Sequence, residues 1–213
     1  MDQIVIDALA KWPNVPACTG WLLLDRRGQW RMRDDACQAA GEIGDVIRHA
    51  ALKRFIERNY EADAGGRWFF QNGPQRVFVD LAYTPHVVRL HGDDAAGADG
   101  SPQLIDECGN AFEPAAAWYD DEGNVLFSTT LPAAGMPAAG MPAAAAPRAG
   151  PPPAIALLHD HDLALFAERL GADAAPHTAA DAVLWGEGRS LPFAPIDAAD
   201  VAQRFGFIQR PRL

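Results

Sequence analysis

The sequence predicts an α+β fold of two similar half-modules, each a helix packed on an antiparallel β-sheet built from hairpins. Three observations predict it. A strand, a Gly-containing turn and a returning strand occur twice, an apolar helical stripe follows each occurrence, and a further hairpin pattern follows each stripe.

The first hairpin runs from Leu22-Leu23-Leu24 through Asp25-Arg26-Arg27-Gly28 to the alternating return Gln29-Trp30-Arg31-Met32. Ala117-Trp118-Tyr119 through Gly123 to Val125-Leu126-Phe127 repeats it, with Gly123 95 positions after Gly28 and each glycine placed to take positive φ. Leu52, Phe55 and Ile56 then form one helical stripe and Leu163, Phe166 and Ala167 another, with Glu57-Arg58 and Glu168-Arg169 in matching places. The second hairpins span Trp68 to Asp80 and Val183 to Phe193. The offset grows from 95 to 111 to 115, and its first jump crosses the Pro/Ala stretch, so a lengthened connection in the second copy accounts for most of the drift.

This reading divides the chain into an N-terminal half-module (1–90), a Gly/Ala/Asp-rich loop (91–102), the start of a C-terminal half-module (103–131), a Pro/Ala-rich linker or loop (132–153) and the remainder of that half-module (154–213). The linker assignment rests on its prolines and small residues, which cannot bury enough surface to offset ordering entropy. Met136 and Met141 within it are too few to make a metal site.

Composition narrows the function classes. In 213 residues, 49% are hydrophobic, enough for a substantial core. The 18 basic and 28 acidic side chains leave a formal charge of −10, which disfavours nucleic acid and anionic membranes as partners. Cys18, Cys37 and Cys108 are too scattered for a disulfide scaffold or a zinc CxxC pair. The N-terminus lacks a signal-peptide pattern, and no apolar run approaches the ~20 residues of a membrane helix, so the expected location is the cytoplasm.

A family resemblance rests on Lys11-Trp12-Pro13-Asn14-Val15-Pro16-Ala17-Cys18-Thr19-Gly20, then Gly28-Gln29-Trp30, the first helix, Trp68-Phe69-Phe70 and Thr84-Pro85-His86-Val87-Val88. This order resembles proteobacterial families of unknown function, one of which has a W-x-P-x-x-C-G opening, a D-G-x-W-like hairpin, a helix and a P-F-V-like strand. The resemblance implies a fold of repeated motifs and a signalling role. It covers mainly residues 11–90 and departs from the pattern at Thr19, at Arg27 before Gly28, and at His86 in the Phe place. The chain also resembles, over nearly its whole length, a β-proteobacterial family that brings no assigned activity.

Candidate chemistry is sparse. His159-Asp160-His161-Asp162 offers imidazoles and carboxylates for a metal, with His159 and His161 as the ligands. An Asp at a helix start has a sufficient capping role, and His177 and Asp181 are undistinguished further ligands. His49 stands at the start of the first helix, in the place equivalent to that cluster, as a groove-lining residue or a cap. His86 and His91 flank an apolar strand as candidate acidity-sensing residues or as solvated strand ends. Cys18 has no adjacent base, and the W-x-P-x-x-C opening reads as Trp12 packing on Pro13 or Pro16. Asp120-Asp121-Glu122 occupies a hairpin tip, where catalytic carboxylates are not expected. No nucleophile elbow, phosphate loop or dinucleotide fingerprint is present, and no cofactor is expected.

Aromatics dominate the strands, and runs such as Trp68-Phe69-Phe70 and Trp118-Tyr119 place neighbours on opposite faces. One face is helix-covered and the other needs a partner. The expected function is therefore a non-catalytic module of regulatory or signalling role that binds a small molecule or a protein, with His49, Trp68, His86 and Trp118 as groove candidates. A metal protein or metal-dependent enzyme built on His159 and His161, and a structural homodimer, are the alternatives.

Overall fold

A computed structural model describes residues 1–91, 100–130, 154–170, 182–186 and 188–213. The expected Pro/Ala linker with Met136 and Met141, most of the 91–102 loop, His177 and Asp181 lie outside the described residues. The chain forms two compact units, the first of Met1–Pro85 with Gly206–Leu213, the second of the described residues from His86 to Phe205.

In the first unit, helix α1 (Gln3–Lys11) precedes strands β1 (Cys18–Leu24) and β2 (Trp30–Met32), then α2 (Asp35–Ala40), β3 (Asp45–Val46), α3 (Ala50–Arg58), β4 (Tyr60–Ala62), β5 (Trp68–Asn72) and β6 (Gln75–Leu81). Its sheet has the order β3-β2-β1-β6-β5-β4. In the second, β7 (His86–His91), β8 (Gln103–Asp106), β9 (Ala111–Phe112), β10 (Ala116–Asp120), β11 (Val125–Ser128) and β12 (Ile155–Leu158) lead to a 3-10 turn at Asp160–Asp162 and α4 (Leu163–Ala167). Strands β13 (Ala182–Leu184) and β14 (Ser190–Ile196) and helix α5 (Val201–Phe205) complete it. The sheet order is β13-β14-β10-β11-β12-β7-β8-β9.

The α+β class and the hairpin construction stand, but the sheets are mixed rather than antiparallel. Strand β1 runs parallel to β6, β10 to β14 and β12 to β7. For β1 with β6 and β10 with β14 the physical reason is the helix between the hairpins, which returns the chain to the same end of the sheet and brings the last strand in beside the first, in the same direction. Both sheets contain one five-strand pattern, β3-β2-β1-β6-β5 in the first and β12-β11-β10-β14-β13 in the second. The boundary expected at residue 90 falls at 85, because Val87, Val88 and Leu90 pair into the second sheet. The C-terminal residues Gly206–Leu213 return to the first unit, where Gln209 O accepts from Leu81 N at 2.8 Å.

Four turns share one local solution. Asp25, Asp63, Asp106 and Asp120 each use Oδ1 to accept from the amides two and four residues on, at 2.7–3.0 Å. Each is followed three residues later by a glycine at positive φ, 70° at Gly28 and 83° at Gly123. Asp is required because a short carboxylate at the turn's first position reaches both amides. The motif caps four hairpins with one device.

Candidate functional site

The strongest candidate site is an apolar groove of ≈ 370 Å³ in the first unit. Its floor is one face of the sheet, read across the strands: Met32 opposes Leu22, Cys18 opposes Val77, Val77 opposes Phe70, and Gln75 opposes Asn72. Leu52 and Ile56 of α3 line it from the helix side. That helix is placed by the predicted stripe, with Phe55 edge-on to Phe70 at 5.4 Å and Ile56 buried. The register of β1 against β6 slips between Cys18 and Leu22, a β-bulge that brings Trp21 as well as Leu22 to the groove. Trp21 is 40% exposed and Met32 45%, unusual for side chains of this size. The polar members are Asn72 and Gln75, whose Nε2 donates to Pro16 O at 3.2 Å.

No nucleophile stands ready in this groove. Burial pushes the Cys18 thiol up, so it remains protonated and serves as apolar lining. A second hollow of ≈ 820 Å³ adjoins along Met32, lined by Asp34, Ala36, Cys37, Glu42, Ile43 and Asp45 among others. Burial raises the Cys37 thiol first, and the carboxylates of Glu42, Asp34 and Asp45 raise it further.

The four groove candidates named from the sequence line neither cavity. Trp68 is buried against Tyr60, with ring centroids 4.9 Å apart. Trp118 is 2% exposed, with Phe205 at its edge, Arg204 over its face at 4.3 Å, and its indole N–H donating to Ser128 Oγ at 2.9 Å. Burial lowers the Arg204 guanidinium from its ordinary value. The second face of the strands, expected to need a partner, is covered in part by cations of the chain itself: Arg76 lies over Phe69 and Arg67 over Phe78. Trp12, expected to pack on proline, is half exposed under Lys11.

Two of the histidines accept backbone N–H groups. His49 caps α3, its Nδ1 accepting from Leu52 N at 3.2 Å, and His159 Nδ1 accepts from His161 N at 3.2 Å at the corresponding place in the second unit. The metal candidates His159 and His161 come together with Asp160, whose Oδ1 lies 2.9 Å from His159 Nδ1 and 4.0 Å from His161 Nε2. The atoms offered come from three consecutive residues, two of them exposed, and the His159 nitrogen nearest Asp160 is the one accepting the backbone N–H. Burial lowers the His159 imidazole, with Arg89 acting in the same direction. Asp162 instead accepts a bidentate pair of hydrogen bonds from Arg89 at 2.7 and 2.9 Å, plus Leu90 N at 3.0 Å. These outweigh burial and hold its carboxyl below the usual range.

His86 sits at the head of β7 with Nδ1 3.1 Å from Glu107 Oε1 and 3.8 Å from Asp106 Oδ2. Burial acts to lower its proton affinity, but the Glu107 and Asp106 carboxylates outweigh it and raise the imidazole above its ordinary 6.5. A raised histidine stabilises fully below its unfolded value, and that stabilisation is lost as pH rises through the folded one. The second unit is expected to lose stability from about pH 6.5 upward as this pair discharges. Urea unfolding of wild type and His86→Gln across pH 5.5–8.5 checks it, and an equal slope in both refutes it.

Among the described residues, no helix is long and apolar enough to cross a membrane. No curated protein matches the chain. A crystal structure of a DUF1285 family protein from Silicibacter pomeroyi DSS-3, solved at 2.50 Å, is similar at a TM-score of 0.41 and 15% identity, over 90% of this chain and 94% of that one. The family model DUF2944, described as "Protein of unknown function (DUF2946)", matches residues 1–212, and the chain belongs to that family.

Proposed function

We propose that the chain is a non-catalytic binding module with a regulatory role, and that the groove between α3 and the first sheet is its binding site. The observation that carries this is a cavity of ≈ 370 Å³ whose lining is apolar except for Asn72 and Gln75. Ligand sites have this size and character: apolar walls supply affinity and a few polar groups orient the occupant. The raised Cys18 thiol argues against nucleophilic catalysis there. The five-strand order common to both sheets supports duplication of one module, of which the first unit carries the open groove.

A neutral apolar dye, N-phenyl-1-naphthylamine, tests the site. Saturable enhancement of its fluorescence with one site per chain is expected. Met32→Glu, which places a charge at the exposed lip, is expected to weaken binding about tenfold or more. Absence of saturable binding, or binding indifferent to Met32→Glu, overturns the assignment.

A further inference from the structure

The groove does not end at its own walls. Met32 lines both it and the adjoining hollow, so an apolar strip continues from Trp21 across Met32 to Ile43, which is 54% exposed. Along this strip stand Asp34, Glu42 and Asp45, all exposed and all lining the hollow. No ion pair joins any of the three to a cation among the described residues. Arg48, exposed three residues after Asp45, joins none of the three in an ion pair, and the two arginines just before Asp34 are engaged elsewhere. Arg31 pairs with Asp25 at 2.6 Å and donates to Gly44 O, while Arg33 is buried against Asp80. Burial raises the Cys37 thiol first; Glu42, Asp34 and Asp45 add to that rise, while Arg33 opposes it.

An apolar strip edged by carboxylates without ion-pair partners, Asp34 also capping α2 by accepting from Cys37 N at 2.8 Å, selects among occupants. Anionic small molecules, nucleic acid and anionic lipid surfaces are repelled. A second copy docking the same face about a two-fold axis would set like carboxylates together on chains already at −10. What fits is an elongated apolar group with positive charge along its flank. An amphipathic helix provides this, with anchors at i, i+3, i+4 and i+7 and basic residues beside them.

We propose that the groove of the preceding section is extended by this strip into a docking site for a basic amphipathic helix of a partner protein, its apolar face on Trp21, Met32 and Ile43 and its lysines or arginines against Asp34, Glu42 and Asp45. This rests on the groove being a binding site and adds the chemistry of its occupant.

Three synthetic helical peptides test it by titration calorimetry against the full chain: a leucine face with a lysine flank, the same leucine face with a glutamate flank, and an alanine face with the lysine flank. The leucine/lysine peptide is expected to bind about tenfold or more tighter than either other, with affinity falling as salt rises. Glu42→Lys combined with Asp45→Lys is expected to reverse the preference between the lysine and glutamate peptides, and Trp21→Glu to abolish binding of the leucine/lysine peptide. All three residues are exposed, so the fold is retained, and the urea midpoint of each variant verifies this. Equal binding of the lysine and glutamate peptides overturns the basic helix. Equal binding of the alanine/lysine peptide, or binding unaffected by Trp21→Glu, reduces the result to general attraction of polycations and also overturns it. Dye binding with no peptide binding overturns this inference alone, whereas loss of both overturns the groove itself.

Discussion

Arg33→Met is expected to destabilise the first unit by about 3–5 kcal/mol, the scale for breaking a buried ion pair by removing one partner. Arg33 and Asp80 are both buried, joined by a hydrogen bond from Arg33 Nη2 to Asp80 Oδ2, while Arg33 Nε donates to Gly20 O at 3.0 Å. With the guanidinium gone, the cation left beside Asp80 among the described residues is Arg212, whose Nη1 lies 3.8 Å from its other oxygen. A carboxylate left buried at that distance from an exposed cation is poorly compensated. The Gly20 contact also ties Arg33 to the bulge of β1 that carries Trp21 to the groove. The variant is therefore expected to bind N-phenyl-1-naphthylamine more weakly even where it is still folded. Urea unfolding followed by tryptophan fluorescence measures the loss. Pairing Arg33→Met with Asp80→Leu should recover most of it, because two apolar side chains replace two desolvated charges. A loss under about 1 kcal/mol in the single variant, on the surface-pair scale, would show that the pair is not buried in solution.

Gly66→Ala is expected to detach the C-terminal segment from the first unit. Gly66 has φ +76°, and a Cβ there would lie 2.1 Å from Gly206 O and 3.1 Å from Phe207 Cα. Both are backbone atoms, which no rotamer change moves aside. The segment is held by Ile208 N donating to Gly66 O at 2.9 Å, by Leu81 N donating to Gln209 O at 2.8 Å and by Gln209 Nε2 donating to Tyr83 O at 3.1 Å. Moving Gly206 and Phe207 away strains all three. Gly73 supplies the control, since its φ is +57° but nothing lies within 4 Å of its added Cβ. Gly73→Ala should cost only the left-handed penalty of roughly 1–2 kcal/mol, whereas Gly66→Ala should in addition speed hydrogen exchange at Leu81 and Ile208 more than tenfold. Equal behaviour of the two variants would show that the segment does not dock as described.

Part of this molecule was legible in one dimension. Leu52, Phe55 and Ile56 announce a helix face, and they are the residues that lie against the first sheet, because helical periodicity depends only on neighbours three and four apart. Gly28 and Gly123 mark turns for the same local reason. The groove was not legible. Trp21 looks like any strand aromatic until the slip in register between Cys18 and Leu22 is known, and that slip is a relation between β1 and β6, more than fifty residues apart. Trp68 and Trp118 looked equally suited to a site and became core, because what covers an aromatic face is decided by distant residues: Tyr60 for one, Arg204 and Phe205 for the other.

By itself, then, the sequence determined the α+β class, the two hairpin-built halves, the helix stripes, the acidic balance and the lack of familiar catalytic motifs. Each follows from composition or from contacts within a few residues. Tertiary structure alone decided that β6 and β14 run parallel to β1 and β10, that β7 belongs to the second sheet, and that Gly206–Leu213 returns to the first unit. It also decided that Trp21, Met32 and Ile43, rather than the buried tryptophans, stay open beside exposed carboxylates. The reason is physical. Strand pairing and burial are set by partners far along the chain, and local sequence preference carries no information about which of several apolar faces will find cover.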